Sequence, residues 1–61
     1  MGYILTEEPR GDEARRAFDA LDDTFGTDSF TKEEALAVLT EHGFGANMFS
    51  ILDGSGAITE E

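Results

Sequence analysis

The chain has 61 residues, no cysteine, and fourteen acidic side chains against four basic ones, a formal net charge of −10 at neutral pH. This length predicts one small domain over residues 1–61, and the lack of cysteine excludes disulfides and thiolate metal sites. An apolar fraction of 39% argues against a disordered acidic tail.

The N-terminal third predicts a strand followed by a helix. Residues 1–8 contain a β-branched and aromatic run that predicts a short strand, which Pro9 interrupts. Apolar residues then recur at helical spacing, which predicts a first helix over 12–25. Asp12 is placed to cap its start and Gly26 to end it.

The second predicted helix, over 31–42, has the clearest boundary in the chain. Thr31 followed three residues later by Glu34 has the spacing of a capping box, in which each side chain binds the backbone N–H of the other residue. Gly43 ends the helical pattern.

Two interpretations fit the C-terminal third. A short apolar stretch predicts a third helix over 46–52, but the turn-like Asp53–Gly56 also fits a β-hairpin. In either case residues 57–59 form a closing strand, which pairs with Tyr3–Leu5 or with Ser29–Phe30. The predicted fold class is therefore α+β, mostly α, with a two- or three-stranded antiparallel sheet. The expected core consists of Phe18, Leu21, Phe25, Phe30, Leu36, Leu39, Phe49 and Leu52.

The charge itself indicates the environment. A net charge of −10 destabilises a compact state by self-repulsion. At about 1 M salt the Debye length falls to about 3 Å, so most of this repulsion disappears. We interpret the composition as adaptation to a very salty cytoplasm, and the alternative is an acidic protein of an ordinary one. We expect no signal peptide, no membrane span and no membrane partner.

Little in the chain indicates catalysis. His42 is the only histidine, and its place at the end of the second helix suits a cation at the negative pole of the helix dipole. No serine has a visible base partner in the sequence. We therefore expect no enzymatic activity and no cofactor.

Two segments carry a resemblance to a known family. Phe30–Leu39 is similar to the second helix of winged-helix domains, a helix-turn-helix family. Ser55–Thr59 is similar to the Gly-apolar-Ile segment that follows the recognition helix there. The chain thus resembles a small winged-helix domain of haloarchaeal type over about half its length. This resemblance implies a transcription regulator that binds DNA.

The resemblance also implies which residues contact DNA. Asn47 and Ser50 on the third helix would contact bases, and Arg15 and Arg16 would contact the phosphate backbone. However, residues 46–50 contain no basic side chain. Because lysine and arginine supply most non-specific affinity for DNA, an acidic body opposes this function.

A protein-interaction or regulatory module is the function that we favour from the sequence. The predicted core is small, so Tyr3, Phe44, Met48 and Ile51 need not all fit inside it. Apolar side chains left outside form the kind of patch that marks an interface. The partner is then another protein or a second copy of the chain.

A degenerate EF-hand-like calcium site is a third hypothesis. Asp23, Asp28 and Glu34 fall at the first, sixth and twelfth positions of such a loop. However, Phe25 occupies the third position, and Asp28 stands where the turn needs glycine. We therefore assign no metal site from the sequence.

Salt adaptation predicts that folding depends on salt. Far-UV circular dichroism should show loss of helix in low-salt buffer and its return in molar KCl, because screening removes the self-repulsion. Full helicity in water alone would contradict this interpretation.

Overall fold

The structure is a computed structural model that describes residues 2–61. It has three helices and a two-stranded antiparallel sheet, which confirms the predicted α+β, mostly α fold class. The longest helix has 14 residues, and no helix within this range has the length and apolar character to cross a membrane. The elements in chain order are β1 (Tyr3–Leu5), α1 (Asp12–Phe25), α2 (Lys32–Glu41), α3 (Asn47–Ser55) and β2 (Ile58–Glu60).

Strand β1 lies between two other backbone segments. On one edge it pairs antiparallel with β2, with Tyr3 opposite Glu60 and Leu5 opposite Ile58. On its other edge, the N–H of Tyr3 donates to the carbonyl of Phe30 (2.6 Å) and the N–H of Phe30 donates to the carbonyl of Tyr3 (2.9 Å). The closing strand therefore pairs with Tyr3–Leu5, which was one of the two predicted alternatives, and not with Ser29–Phe30. The observed strand β1 is shorter than the strand predicted over 1–8. Met1, which belongs to that prediction, lies outside the described residues.

Helix α1 has the predicted bounds but a different cap. Gly11 is the N-cap residue and makes no side-chain hydrogen bond, while Asp12 is the first helical residue. The predicted Asp12 cap is therefore wrong, although its carboxylate still lies in the first turn, where it complements the helix dipole. Gly26 ends the helix with φ 60°, and its N–H donates to the carbonyl of Asp22 at 2.8 Å.

Helix α2 begins at the predicted capping box. The Thr31 Oγ1 accepts from the N–H of Glu34 at 3.1 Å, and the Glu34 Oε1 accepts from the N–H of Thr31 at 2.8 Å. The helix is one residue shorter at each end than the predicted 31–42, because Thr31 and His42 are its caps.

Helix α3 is longer than predicted and excludes the hairpin alternative. The predicted 46–52 helix continues through Asp53, Gly54 and Ser55, and it ends at Gly56 with φ 83°. Two buried residues of α3, Phe49 and Leu52, hold it against the core, and this packing outweighs the low helix propensity of its glycine. The final strand therefore starts one residue later than predicted.

The core is close to the predicted one but contains more small residues. Leu21, Phe30, Leu39, Phe49 and Leu52 are buried as expected. Phe18, Phe25 and Leu36 are half-buried and pack against the core. The buried residues outside the expected core are Pro9, Met48, Ile58 and the alanines Ala14, Ala17, Ala20, Ala35 and Ala57. Of these, Ala14, Ala17 and Ala35 lie on the predicted apolar faces of α1 and α2.

An aromatic cluster joins β1 to the helices. The Tyr3 ring meets the Phe49 ring edge-to-face at 5.1 Å, and it lies 6.5 Å from the Phe30 ring. The Phe25 and Phe30 rings stack at 4.7 Å. The Nζ of Lys32, the only lysine, lies 5.6 Å from the centre of the Phe49 ring. These contacts add to apolar burial, as aromatic and cation–π pairs do.

Replacing glycine by alanine should have opposite effects on stability at two positions, Gly54 within α3 and Gly56 just after it. Gly54 is helical, and a Cβ there would meet no atom within 4 Å, so Gly54→Ala should stabilise the fold by about 0.5–1 kcal/mol. Gly56 has φ 83°, which alanine disfavours, so Gly56→Ala should cost roughly 1–2 kcal/mol. Thermal denaturation in molar KCl measures both. Stability changes of equal sign would contradict the helix bounds.

Candidate functional site

Helix α3 has one buried side and one exposed side. Met48, Phe49 and Leu52 are buried, while the residues at helical spacing on the other side are exposed. The Ile51 side chain is 49% exposed, and no other large hydrophobic residue in 2–61 is exposed to this extent. We call the exposed residues the α3 outer face: Asn47, Ser50, Ile51, Asp53, Gly54 and Ser55.

A groove of about 470 Å³ runs beside the α3 outer face. The segment between β1 and α1 forms its opposite wall, which buried Pro9 anchors to the fold. Thr6 fixes the start of that segment, because its Oγ1 donates to the carbonyl of Gly56 at 2.7 Å and its N–H donates to the carbonyl of Ala57 at 2.8 Å. The lining residues are Glu7, Glu8, Pro9, Arg10, Gly11, Ala14, Ile51 and Ser55.

The charges around the groove are nearly balanced. The Arg15 Nε lies 3.7 Å from the Glu8 Oε1, with about half of each side chain exposed. Such a surface pair contributes about 1 kcal/mol or less. Glu7 and Arg10 form no ion pair within the described part of the chain. The groove therefore presents one carboxylate and one guanidinium that are available to a partner.

Helix α3, which contributes Ile51 and Ser55 to the groove, is the least charged of the three helices. Asp53 is the single charged residue of α3, whereas α1 and α2 each carry several acidic residues. Three of the four basic residues of the chain, Arg10, Arg15 and Arg16, lie within one short segment that begins at the groove. The same segment also contains Asp12 and Glu13, so acidic and basic side chains are mixed on this wall of the groove.

The residues predicted to contact DNA lie on two elements. Asn47 and Ser50 share the α3 outer face, as the DNA-binding hypothesis requires. Arg15 and Arg16 are exposed on α1, and Arg15 is paired with Glu8. No basic side chain lies on α3. The structure thus presents polar groups on the outer face without cations on the same helix.

The four residues predicted for a protein interface have different environments. Ile51 lies on the surface, at the groove. Tyr3 and Phe44 are half-buried and pack against the core. Met48 is only 5% exposed, so it does not contribute to the outer surface, because α3 turns it inward beside Phe49.

Glu7, Arg10 and Ser55 line the groove, although no pattern in the sequence links them. They are brought together by the path of the chain from β1 into α1 across the end of α3. The Pro9-Arg10-Gly11 sequence was a local signal of a loop, but nothing in it indicates which helix the loop packs beside.

The histidine and the candidate calcium ligands do not form a reactive or metal-binding cluster. The His42 Nδ1 lies 2.9 Å from the carbonyl oxygen of Val38, at the end of α2. The Glu34 carboxylate belongs to the capping box. Among residues 2–61, no three His, Asp or Glu side chains come together as a group that could hold a metal ion. Asp23, Asp28 and Glu34 are therefore not assembled into a site.

Comparisons with known proteins assign no family to this chain: no protein-family model matches it, and neither a curated protein nor a solved structure matches it significantly.

If Ile51 serves binding and not folding, truncating it should affect stability far less than truncating its neighbour Leu52. Ile51→Ala should change the free energy of unfolding by no more than about 0.5 kcal/mol, because the side chain is half exposed. Leu52→Ala should cost about 2–5 kcal/mol, because Leu52 is fully buried. Denaturant titration in molar KCl measures both values. A large loss from Ile51→Ala would show that Ile51 belongs to the core.

Proposed function

We propose that this protein is a small, acidic, salt-adapted interaction module of the cytoplasm, which acts by binding another protein and not by catalysis. The observation that carries this proposal is the exposed Ile51 beside a groove, on the least charged helix of the molecule. A partner that fills the groove would bury the exposed part of Ile51.

The packing of the rest of the chain supports a binding role for this surface. The core is closed by aromatic and aliphatic residues, and no buried side-chain polar atom in residues 2–61 lacks a hydrogen-bond partner. The core is closed while the α3 outer face stays exposed, so this face is free to contact a partner.

Salt adaptation is consistent with this function. In molar salt the Debye length is about 3 Å, so long-range attraction and repulsion are both weak. Association then depends on apolar burial and on charges in direct contact. Ile51, Glu7 and Arg10 together supply an apolar anchor and one charge of each sign.

DNA binding is the alternative, and the exposure of Asn47 and Ser50 on the α3 outer face favours it. The charge opposes it, because four basic residues among fourteen acidic ones leave few phosphate contacts. A net charge of −10 would also repel the protein from a polyanion such as DNA.

Amide NMR spectra in molar KCl, recorded before and after addition of mixed duplex DNA, separate the two functions. We expect a well-dispersed spectrum that DNA leaves unchanged. Shifts concentrated at Asn47, Ser50, Arg15 and Arg16 would overturn the proposal and establish DNA binding. In that case Asn47→Ala should abolish the shifts without unfolding the protein, because Asn47 is exposed.

A further inference from the structure

We infer that the C-terminal end of α1 is the element through which salt controls this fold, so that the groove forms only where cations screen the carboxylates at that end. This inference rests on the salt adaptation included in the proposed function, and it identifies where that adaptation acts. The effect needs no bound ion, because diffuse cations weaken the repulsion between exposed charges.

The charges of α1 are separated along the helix. Both of its basic residues, Arg15 and Arg16, lie in the first half, whereas every charged residue of the second half is acidic. No basic residue occurs between Arg16 and Lys32, a stretch that contains Asp22 and Asp23 in the last turn of the helix. The negative charge at this end therefore has no cation near it in the sequence.

The helix dipole makes this end unfavourable for carboxylates. The last carbonyl groups of a helix carry partial negative charge, so an acidic residue is repelled in the last turn and attracted in the first. Asp22 and Asp23 are in the unfavourable position. The turn that follows places Asp28 beside the same end, since its N–H donates to the carbonyl of Phe25 at 2.9 Å. All three acidic residues are exposed, so their repulsion responds to salt.

The C-terminal ends of the other two helices are less acidic. The last turn of α2 contains Glu41, but His42 follows as the cap, with its Nδ1 2.9 Å from the carbonyl oxygen of Val38. Helix α3 has Asp53 as its single charged residue. The strongest opposition between side-chain charge and helix dipole therefore lies at the end of α1.

The end of α1 is connected to the groove through aromatic and backbone contacts. Phe25, the last residue of the helix, stacks on Phe30 with 4.7 Å between the ring centres. Phe30 exchanges two backbone hydrogen bonds with Tyr3 of β1. Strand β1 leads into Thr6, which fixes the opposite wall of the groove against the segment after α3. Fraying of the last turn of α1 in low salt therefore loosens the strand that positions the groove.

A matched pair of substitutions on α1 tests the inference. Asp23→Asn and Asp12→Asn change the net charge equally, both residues are exposed, and neither forms an ion pair within residues 2–61. The two positions differ in their relation to the helix dipole, because Asp12 lies in the first turn and Asp23 in the last. Urea denaturation at a series of KCl concentrations measures the folding equilibrium constant of each variant. Urea carries no charge, so KCl alone sets the ionic strength.

We expect the two substitutions to act differently in low salt. Asp23→Asn should raise the folding equilibrium constant about two- to fivefold at the lowest KCl concentration at which the wild-type chain folds, and by less in molar KCl. Asp12→Asn should lower it or leave it unchanged, because the loss of a favourable dipole interaction offsets the gain from a smaller net charge. Asp22→Asn, in the same turn as Asp23, should repeat the first result. Equal increases at Asp12 and Asp23 would show that net charge alone sets the salt dependence, and would overturn the inference.

Amide hydrogen exchange locates the loosening. Phe25 and Glu41 are the last residues of α1 and α2. As KCl is lowered, the Phe25 amide should lose protection at a higher KCl concentration than the Glu41 amide, because fewer like charges surround the end of α2. Loss of protection at the same concentration would show that salt acts on the fold as a whole, and would also overturn the inference.

Failure of the inference is distinguishable from failure of the proposed function. If the wild-type chain is fully folded without salt, the salt adaptation itself is wrong, and the inference fails with it. If folding requires salt but the substitutions at Asp12 and Asp23 act equally, the salt adaptation stands and only the assignment to α1 is overturned. The binding role of the α3 outer face is tested by the DNA titration and depends on neither result.

Discussion

Backbone pairing on both edges of β1 is the interaction on which the rest of the structure depends. Tyr3 exchanges two hydrogen bonds with Phe30 on one edge, and β1 pairs with the C-terminal strand on the other. The three-residue strand thereby holds together the start, the middle and the end of the chain. Its side chains extend this connection, because the Tyr3 ring contacts Phe49 of α3 edge-to-face. In a chain of 61 residues without disulfides, this pairing limits how the helices can move relative to one another.

The proposed binding surface follows from that constraint. With β1 and the aromatic cluster on one side, α3 turns Met48, Phe49 and Leu52 inward and leaves Ile51 outside. The chain leaving β1 is fixed by Thr6 against Gly56 and Ala57, so it must pass the end of α3 before α1 begins. The groove is the space between these two segments. The groove thus lies where the connection from β1 to α1 leaves the α3 outer face uncovered.

Local signals predicted most of the fold, and tertiary packing determined the rest. The helical spacing in α1 and the capping box at Thr31 depend on residues within one or two turns, so the sequence alone located both helices. The Asp53-Gly54-Ser55 segment also fits a turn, and only the burial of Leu52 against the core makes it helical. Ile51 was one of four apolar residues that a small core need not include, and nothing local distinguished it from the other three. The groove depends on the path of a loop. Met48 shows the same limit, since apolar spacing does not determine which residues a small core can include.

Native-state hydrogen exchange at Tyr3 and Phe30 is the most direct test of this account. If β1 is central, the two amide protons should exchange only by global unfolding, at the same rate as the amide of Leu39 in the middle of the core. The experiment requires molar KCl and an assigned amide spectrum. Exchange of Tyr3 and Phe30 that is much faster than that of Leu39 would show that the strand detaches on its own, and would contradict the central role of β1.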